Sequence, residues 1–265
     1  MKALRITRAI IPDDLNPSDI AAPVPGPAEA LISLRAASLN HRDLHMFSWE
    51  PDAPFTLGSD GAGVVTECGA QAAGCAPGAE VVINPSLNWG PREDAYGPNW
   101  SILGWPRDGT LAEAIAIPAE NVYPKPAHLT FEQAAALPLA GVTAYRALVP
   151  RAQLQPGERV LIHGIGGGVA LLALQFALAL GANVMVTSTS DDKLARAAAL
   201  GADFGVNSRH GDWVASAQEW SGGAGVDVVV ESLGGDTLAR SLNALRHGGR
   251  LVTFGTTSDA HATIK

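Results

Sequence analysis

Short apolar runs separated by turn-forming residues make up the first part of the chain. Such runs are Ala30–Leu34, Gly63–Val65 and Glu80–Ile83, and clusters of Pro, Gly and Asp lie between them. The pattern predicts a compact β-rich domain with irregular loops, which we assign to residues 1–125. Residues 84–109 are rich in Pro, Gly, Asn and Trp and are predicted to form a long loop that covers a site.

The hydrophobic period changes at Thr130. Thr130 and Gln133 have the spacing of a capping box, which predicts the start of a helix. Pro138 is expected to interrupt this helix, and a second helix over about Val142–Leu148 is expected to end near Pro150. We interpret the segment as a hinge between two domains.

Strands and helices alternate after residue 158. The predicted strands are Arg159–His163, Asn183–Ser188, Phe204–Asn207, Val226–Glu231 and Gly249–Gly255. The predicted helices are Val169–Leu180, Asp191–Leu200, Asp212–Trp220 and one that carries Leu238, Leu242 and Leu245 on one face. This α/β alternation predicts a Rossmann-type, doubly wound parallel sheet over residues 126–265. Because the dinucleotide-binding form of that sheet has a sixth strand, we expect this chain to be truncated after its fifth.

A glycine-rich loop joins the first of these strands to the following helix. Its residues are Gly164, Gly166, Gly167 and Gly168, followed by Val169. Glycines let a diphosphate approach the backbone, and the helix N-terminus offers free N–H donors and a partial positive charge. Ala170 stands where a last glycine is often found, but alanine is tolerated there. Strand, loop and helix in this order predict a dinucleotide site, with a merely tight turn as the alternative.

The end of the second strand bears on the choice of cofactor. NAD sites usually have an acidic residue there, whereas this chain has Ser188, Ser190 and, one turn into the helix, Lys193. Hydroxyl donors and a cation suit a 2′-phosphate, so NADPH is favoured over NADH. We expect Asp191 and Asp192 to lie in the first turn of the helix, where carboxylates are favourable. Simple capping by Ser190 and a solvated Lys193 are the alternative interpretation.

Composition narrows the classes of function. Of the 265 residues 47% are hydrophobic and 17% are charged, which excludes a disordered chain and allows one or two domains. The net charge of −8, without a basic run, argues against a nucleic-acid partner. Residues 164–190 are uncharged, but their apolar helix is too short for a membrane span. No export signal is recognised, and only Cys68 and Cys75 occur, which excludes a disulfide scaffold and favours a reducing, cytoplasmic compartment.

These motifs together resemble the medium-chain dehydrogenase/reductase superfamily, and within it the zinc-free quinone oxidoreductase-like branch. The matching segments, which follow the family order over nearly the whole chain, are residues 37–44, 57–64, 108–110, 135–145, the glycine loop and residues 249–255. The resemblance implies a GroES-like substrate domain at residues 1–125. It also implies an NAD(P)-binding Rossmann domain at residues 126–265.

The resemblance also bears on zinc. Zinc-dependent relatives take catalytic ligands at positions that match Asn40, Ser59 and Leu139, none of which is a good zinc ligand. Residues 84–109 contain no cysteine for a structural zinc site. His41 and His45 form the only helix-spaced histidine pair, and we do not expect it to bind a metal. We therefore predict no zinc.

Without a Lewis acid, acceptors already activated by conjugation become plausible. The resemblance implies hydride transfer from NADPH to a small molecule, a quinone or an α,β-unsaturated carbonyl. Asn40 and Asp43 would line the cleft near the nicotinamide, unless they are only a turn-capping pair. His45 is a candidate proton donor, although Arg42 stands where relatives have the relay hydroxyl. Thr143, and at later strands Gly234, Phe254 and Gly255, would contact the cofactor.

Two other functions remain open. The first is a zinc-free alcohol dehydrogenase or enoyl reductase of the same superfamily, and the second is a non-catalytic NADPH-binding protein. A short-chain dehydrogenase is excluded because no tyrosine has the lysine that this family needs four residues later. The resemblance implies a homodimer, although the strand through which such dimers commonly pair is not predicted here. The substrate, the proton donor and the oligomeric state are left open.

Overall fold

The computed structural model describes residues 1–7, 15–47, 51–258 and 261–264. The chain divides into two compact units, Met1–Leu139 and Ala140–Lys265. The division lies within the helical segment that the sequence predicts to be a hinge.

The first unit is built mainly of antiparallel strands. Its strands are β1 (Lys2–Ile6), β2 (Pro17–Asp19), β3 (Glu29–Ser38), β4 (Phe55–Thr56), β5 (Asp60–Cys68), β6 (Glu80–Ile83), β7 (Ser86–Leu87), β8 (Ser101–Leu103), β9 (Pro106–Arg107), β10 (Ala114–Pro118) and β11 (Val122–Pro124). Its helices are α1 (His41–Met46) and α2 (Phe131–Ala135). Its largest sheet has the strand order β10-β3-β5-β6-β11. The predicted β-rich domain is therefore confirmed.

The core of this sheet follows from alternation along its strands. Ile32 of β3, Val65 of β5 and Ile83 of β6 are buried in one hydrophobic cluster. β5 passes so close to β3 that a Cβ atom at Gly63 would lie 2.2 Å from the carbonyl oxygen of Ser33. Only glycine fits at this point, and the close approach aligns Asp60, at the start of β5, with Ser38 of β3.

Residues 84–109 are more ordered than the predicted irregular loop. They contain β7, β8 and β9, which form a small three-stranded sheet. Tyr96 stacks on Trp100 with ring centres 4.5 Å apart, and Trp89 contacts both rings edge-on. Three of the aromatic residues in this segment thus pack against one another.

The two cysteines are paired, contrary to the inference from their scarcity. Cys68 and Cys75 form a disulfide, with Cα atoms 5.9 Å apart. Cys68 ends β5, and the following loop turns back through backbone hydrogen bonds from the N–H of Ala72 to the Gly69 carbonyl oxygen and from the N–H of Cys75 to the Ala72 carbonyl oxygen. The turn brings Cys75 to its partner, which the spacing alone did not indicate. The bond removes the argument for a reducing compartment.

The second unit contains the predicted parallel sheet. Its strands are β12 (Arg159–Ile162), β13 (Asn183–Ser188), β14 (Phe204–Asn207), β15 (Val226–Glu231) and β16 (Leu245–Thr253). Its helices are α4 (Gly168–Ala179), α5 (Asp191–Ala199), α6 (Trp213–Trp220) and α7 (Gly235–Ala244), while α3 (Pro138–Arg146) crosses the division and continues as a π-helical turn, Ala147–Arg151. The strand order β14-β13-β12-β15-β16 confirms a five-strand Rossmann-type sheet.

The helix boundaries around Pro138, Pro150 and Leu245 differ from the prediction, and those of α4, α5 and α6 differ by one residue. α3 begins at Pro138, because proline lacks only an N–H that the first turn leaves unbonded. The chain continues through Pro150 as a π-helical turn. α7 ends before Leu245, because Leu245 pairs with Val226 in the sheet and so cannot continue the helical face. No helix among the described residues is long and apolar enough to cross a membrane.

Candidate active site

The glycine loop of the second unit leaves the N-terminus of α4 open. Gly164 and Gly166 have φ angles of 68° and 113°, which residues with a side chain rarely adopt. Gly167 is the N-cap of α4 and has no side chain with which to cap the helix. The N–H groups of its first turn, from Gly168 and Val169 onward, are therefore available to an anionic ligand.

Lys193 lies along this loop. A Cβ atom at Gly166 would come within 2.6 Å of Lys193 Cδ, so the absence of a side chain at Gly166 makes room for the lysine. Two predicted cofactor residues from separate segments are thus brought together. The ammonium group adds positive charge beside the N-terminus of α4, where an anion is already favoured.

The end of β13 carries the two predicted serines. Ser188 is buried, and its Oγ accepts a hydrogen bond from the backbone N–H of Ser190 at 3.2 Å. Ser190 occupies the N-cap position of α5 but makes no side-chain capping bond, so the predicted cap is right in position only. Asp191 and Asp192 lie in the first turn of α5, as expected. Asp191 accepts a hydrogen bond from Asn207 Nδ2 at 2.7 Å.

Gly234, Phe254 and Gly255 meet around Glu231, a residue that the sequence analysis missed. Glu231 is fully buried at the carboxyl end of β15, and its Oε1 accepts the N–H of Gly234 at 3.0 Å. Its carbonyl oxygen accepts the N–H of Phe254 at 3.2 Å. A Cβ atom at Gly255 would lie 3.6 Å from the Ser232 carbonyl oxygen. The available signal was an acidic residue that directly follows three consecutive valines at the end of this strand.

His163 is a second missed residue, and it immediately precedes the glycine loop. Its Nε2 lies 3.0 Å from Ser241 Oγ, and its Nδ1 lies 2.9 Å from Thr187 Oγ1. Because Ser241 donates its hydroxyl proton to the Thr237 carbonyl oxygen, the ring must donate from Nε2 and accept at Nδ1. Burial lowers the pKa of His163 to about 4, so the ring is neutral at pH 7.

Thr143 lies partly buried on α3, in the same unit as the glycine loop. Ala140, one turn earlier on α3, would contact a Cβ atom at Gly168 at 3.4 Å. The first turn of α3 therefore packs against the start of α4, on the helix that carries Thr143. The nicotinamide contact of Thr143 stays a prediction.

In the first unit, Asn40 and Asp43 are brought together at the start of α1. Asn40 is the N-cap, and its backbone N–H donates to Asp43 Oδ2 at 2.7 Å. This is the contact expected of a turn-capping pair. Asn40 also uses its side chain, because its Nδ2 donates to Asp60 Oδ2 at 2.9 Å. The pair is therefore anchored to a third residue that the sequence analysis did not select.

Asp60 is fully buried at the centre of this cluster. Besides Asn40, it accepts hydrogen bonds from Ser38 Oγ at 3.3 Å and from the backbone N–H of Leu139 at 2.7 Å. Burial raises the pKa of Asp60 to about 6 against these bonds, and the charge of Asp43 adds to the rise. Burial also raises the pKa of Asp43, whose Oδ1 has no hydrogen-bond partner among the described residues.

Arg42 connects α1 to the segment of residues 84–109. Its Nη1 donates to Ser59 Oγ at 2.6 Å and to the Leu103 carbonyl oxygen at 2.8 Å. His45 lies on the same helix, with its ring edge-on to His41 at 5.2 Å. Within the ranges that the structure describes, no three His, Cys, Asp or Glu side chains are grouped as metal ligands. The prediction that zinc is absent stays a prediction.

Comparison with known proteins agrees with this architecture. Residues 26–127 match the family model of the alcohol dehydrogenase GroES-like domain, and residues 168–265 match the model described as zinc-binding dehydrogenase. A zinc-type alcohol dehydrogenase-like protein of Schizosaccharomyces pombe is 38% identical, over 92% of this chain and 72% of the relative. Quinone oxidoreductase of Homo sapiens is 31% identical, over 96% of this chain and 73% of the relative. The solved structure of an NAD-dependent alcohol dehydrogenase has a TM-score of 0.91 and 38% identity, over 100% of this chain and 79% of that one.

A GroES-like unit followed along the chain by a parallel sheet with a glycine loop is the architecture of a two-domain dehydrogenase that binds a nicotinamide cofactor. The chain belongs to the medium-chain dehydrogenase/reductase superfamily of oxidoreductases.

Proposed function

We propose that the chain is an NADPH-dependent oxidoreductase that transfers hydride, without zinc, to a quinone or an α,β-unsaturated carbonyl. The single observation that carries the choice of cofactor is the position of Lys193 along the glycine loop at Gly166. The quinone class is supported by the similarity to quinone oxidoreductase. When bound, the reduced nicotinamide supplies the hydride.

The residues of the second unit fit a dinucleotide. The missing side chain at Gly166 leaves room for Lys193 beside the N-terminus of α4, whose N-cap is Gly167, and a diphosphate would bind to the N–H groups of that first turn. Gly164, Gly166, Gly167, Gly168 and Val169 would hold the diphosphate. Thr143, Gly234, Phe254 and Gly255 would hold the nicotinamide side.

The same unit favours a 2′-phosphate over a free ribose hydroxyl. Ser188, Ser190 and Lys193 offer two hydroxyl groups and a cation for the phosphate oxygens. Asp191, the acidic residue nearest the end of β13, already accepts from Asn207. NADH lacks the 2′-phosphate, which is the group that Lys193 would attract in NADPH.

The contacts of the first unit support catalysis without zinc. Ser59 Oγ is bonded to Arg42 and to the carbonyl oxygen of Leu103. The Asn40 amide is bonded to Asp60, and Leu139 offers only its backbone N–H, also to Asp60. These groups are hydrogen-bonded to one another or to the backbone. None of them is a thiolate or imidazole of the kind that zinc prefers. Asn40 and Asp43 would position the acceptor, and His45 is the candidate proton donor.

One set of measurements tests the proposal. Calorimetric titration should give tighter binding of NADPH than of NADH, elemental analysis should find no stoichiometric zinc, and NADPH should be oxidised in the presence of a quinone or an enone. Activity on simple alcohols or aldehydes instead would favour the alcohol dehydrogenase alternative. Binding without turnover of any acceptor would favour a non-catalytic NADPH-binding protein, and stoichiometric zinc would contradict the proposal. Sedimentation of the same sample tests whether the chain is a homodimer, as its resemblance implies.

A further inference from the structure

Arg42 is a partly buried cation that forms no ion pair with any residue that the structure describes. Burial lowers the pKa of its guanidinium, against the opposing charges of Asp43 and Asp60. Neither carboxylate comes within salt-bridge distance of it in the part of the chain that the structure describes. Buried charges in proteins are normally paired or bound to a ligand, so this cation needs an explanation.

The guanidinium is fixed at one end and open at the other. Both hydrogens of Nη1 are used, one by Ser59 Oγ and one by the Leu103 carbonyl oxygen. Ser59 is itself fully buried and donates to the same carbonyl oxygen at 2.9 Å, so the anchor is rigid. Arginine has five N–H donors in a planar fork, which leaves the Nε–H and the two Nη2–H groups.

These remaining donors are not sealed inside the protein. They form no hydrogen bond to another described residue, and neither Nε nor Nη2 is a buried atom without a partner. They therefore reach the surface of the first unit. Asp60 does not compete for them, because its oxygens already accept from Ser38, Asn40 and the backbone N–H of Leu139.

We propose that the free edge of the Arg42 guanidinium binds the oxygen atom of the acceptor and stabilises the negative charge that this oxygen gains during reduction. The inference rests on the proposed function and adds a catalytic residue to it. In the enone case, the acceptor gains a carbon–hydrogen bond as the corresponding bond of NADPH breaks. The π electron pair of the enone moves to its oxygen, which then takes a proton from His45, the candidate proton donor, and water restores that proton to His45. The enone is thereby reduced and NADPH is oxidised. A fixed cation beside that oxygen supplies the stabilisation that conjugation alone does not.

The kinetic test compares Arg42→Gln and Arg42→Lys with the wild type on two acceptors of different reactivity. Removal of one oxyanion donor lowers kcat by about 100- to 1,000-fold in other enzymes. We expect a loss of that size for Arg42→Gln with an enone, a smaller loss with a quinone, and partial recovery in Arg42→Lys. Affinity for NADPH should be unchanged. Arg35→Gln, which changes an exposed arginine of β3 in the same unit, is the matched control and should leave both rates unchanged.

A purely structural role of Arg42 predicts a different result. Ser59→Ala removes one contact of the anchor while it leaves the charge in place. If Ser59→Ala and Arg42→Gln lowered kcat equally, and by the same factor for both acceptors, the inference would be wrong. Thermal unfolding of each variant shows whether a lower kcat results from an unfolded protein or from the missing guanidinium group.

A titration without coenzyme or turnover gives an independent measurement. The phenolate of 4-nitrophenol carries its charge on oxygen, as the reduced acceptor does, and absorbs differently from the neutral phenol. We expect the wild type and Arg35→Gln to bind it as the phenolate, and Arg42→Gln to bind it several-fold more weakly or as the neutral phenol. Binding that is the same in all three would overturn the inference. If phenolate binding depends on Arg42 but the protein oxidises no NADPH, the proposed function is refuted, whereas Arg42 still forms an anion-binding site.

Discussion

The glycine loop of the second unit and the Asp60 cluster of the first unit are constructed in opposite ways. The loop consists of neighbouring residues and offers backbone N–H groups at the start of α4. The cluster consists of side chains from β3, α1 and β5, joined by hydrogen bonds to Asp60 and Arg42. The first arrangement follows from local sequence, whereas the second exists only after distant segments have come together. This difference explains why the loop could be predicted, whereas only the neighbouring residues Asn40 and Asp43 of the cluster could be.

Burial acts in both regions and shifts the pKa of an acid and of a base in opposite directions. It raises the pKa of Asp60 to about 6 and lowers the pKa of His163 to about 4. Both shifts favour the neutral form of the group. Because one group is an acid and the other a base, the two units should respond to pH in opposite directions.

The largest expected effect concerns His163. Its pKa is lower in the folded protein than the ordinary value of 6.5, so the unfolded chain binds more protons. The free energy of unfolding should therefore fall as the pH falls from about 6.5 to about 4, by a total on the order of 3 kcal/mol. In His163→Gln, whose amide keeps a donor and an acceptor but does not titrate, this acid-induced loss should disappear. Denaturant titration across that pH range measures it.

The control for this measurement is His210→Gln, which removes an exposed histidine from the same unit. It should retain the full acid-induced loss of the wild type. A His163→Gln profile parallel to the wild type would mean that His163 is not held neutral by burial.

Asp60 should give a slightly smaller effect of opposite sign. Its folded pKa is raised above the ordinary 3.8, so the folded protein holds the proton more strongly than the unfolded chain does. The stabilising contribution is complete below about pH 4 and is lost as the pH rises through about 6, on the order of 3 kcal/mol. Asp60→Asn should remove this slope from the unfolding of the first unit, whatever its effect on absolute stability.

Asp52→Asn, at an exposed aspartate of the same unit, serves as the comparison and should keep the slope. If the stability of the wild type rises between pH 4 and pH 6 by the part that Asp60→Asn removes, then Asp60 is ionised in the folded state and the assignment is wrong. Unfolding followed by tryptophan fluorescence at several pH values gives the measurement.

The limits of sequence reasoning follow from the same contrast. The strands of the parallel sheet, the capping box at Thr130 and Gln133, and the glycine loop were predicted, because each depends on residues close in sequence. The Cys68–Cys75 bond and the strand start at Leu245 were missed, because a folded loop and a neighbouring strand decide them.

The site residues divide in the same way. Asp60, Glu231 and His163 acquire their properties only from burial among distant partners. Asp60 gave no signal as one acidic residue in a glycine-rich run, and His163 gave none at the end of an apolar strand. Their burial and their hydrogen-bond partners, rather than their residue types, identify them as candidate site residues.

Substitution of Lys193 tests whether the second unit recognises the 2′-phosphate of NADPH. One hydrogen bond between charged groups contributes about 1.5 to 3 kcal/mol, so Lys193→Ala should weaken NADPH binding by about 10- to 100-fold. NADH binding should change little, because NADH has no 2′-phosphate. The matched control is Arg209→Ala, at an exposed cation of the same unit. Equal weakening of both coenzymes by Lys193→Ala would assign the lysine to the diphosphate instead, and calorimetry of each pair distinguishes the outcomes.

The smallest expected effect compares two helix starts, one in each unit. Thr130 accepts the N–H of Gln133 at 3.2 Å, and Gln133 Oε1 accepts the N–H of Thr130 at 3.0 Å, so the first turn of α2 is capped in both directions. Ser190 holds the same position at α5 without a capping bond. Thr130→Ala should therefore lower the free energy of unfolding by about 1 kcal/mol, whereas Ser190→Ala should leave it within about 0.5 kcal/mol of the wild type and instead weaken NADPH binding. A stability loss in Ser190→Ala as large as that in Thr130→Ala would show that Ser190 caps α5. It would also weaken the argument that Ser190 binds the 2′-phosphate of NADPH.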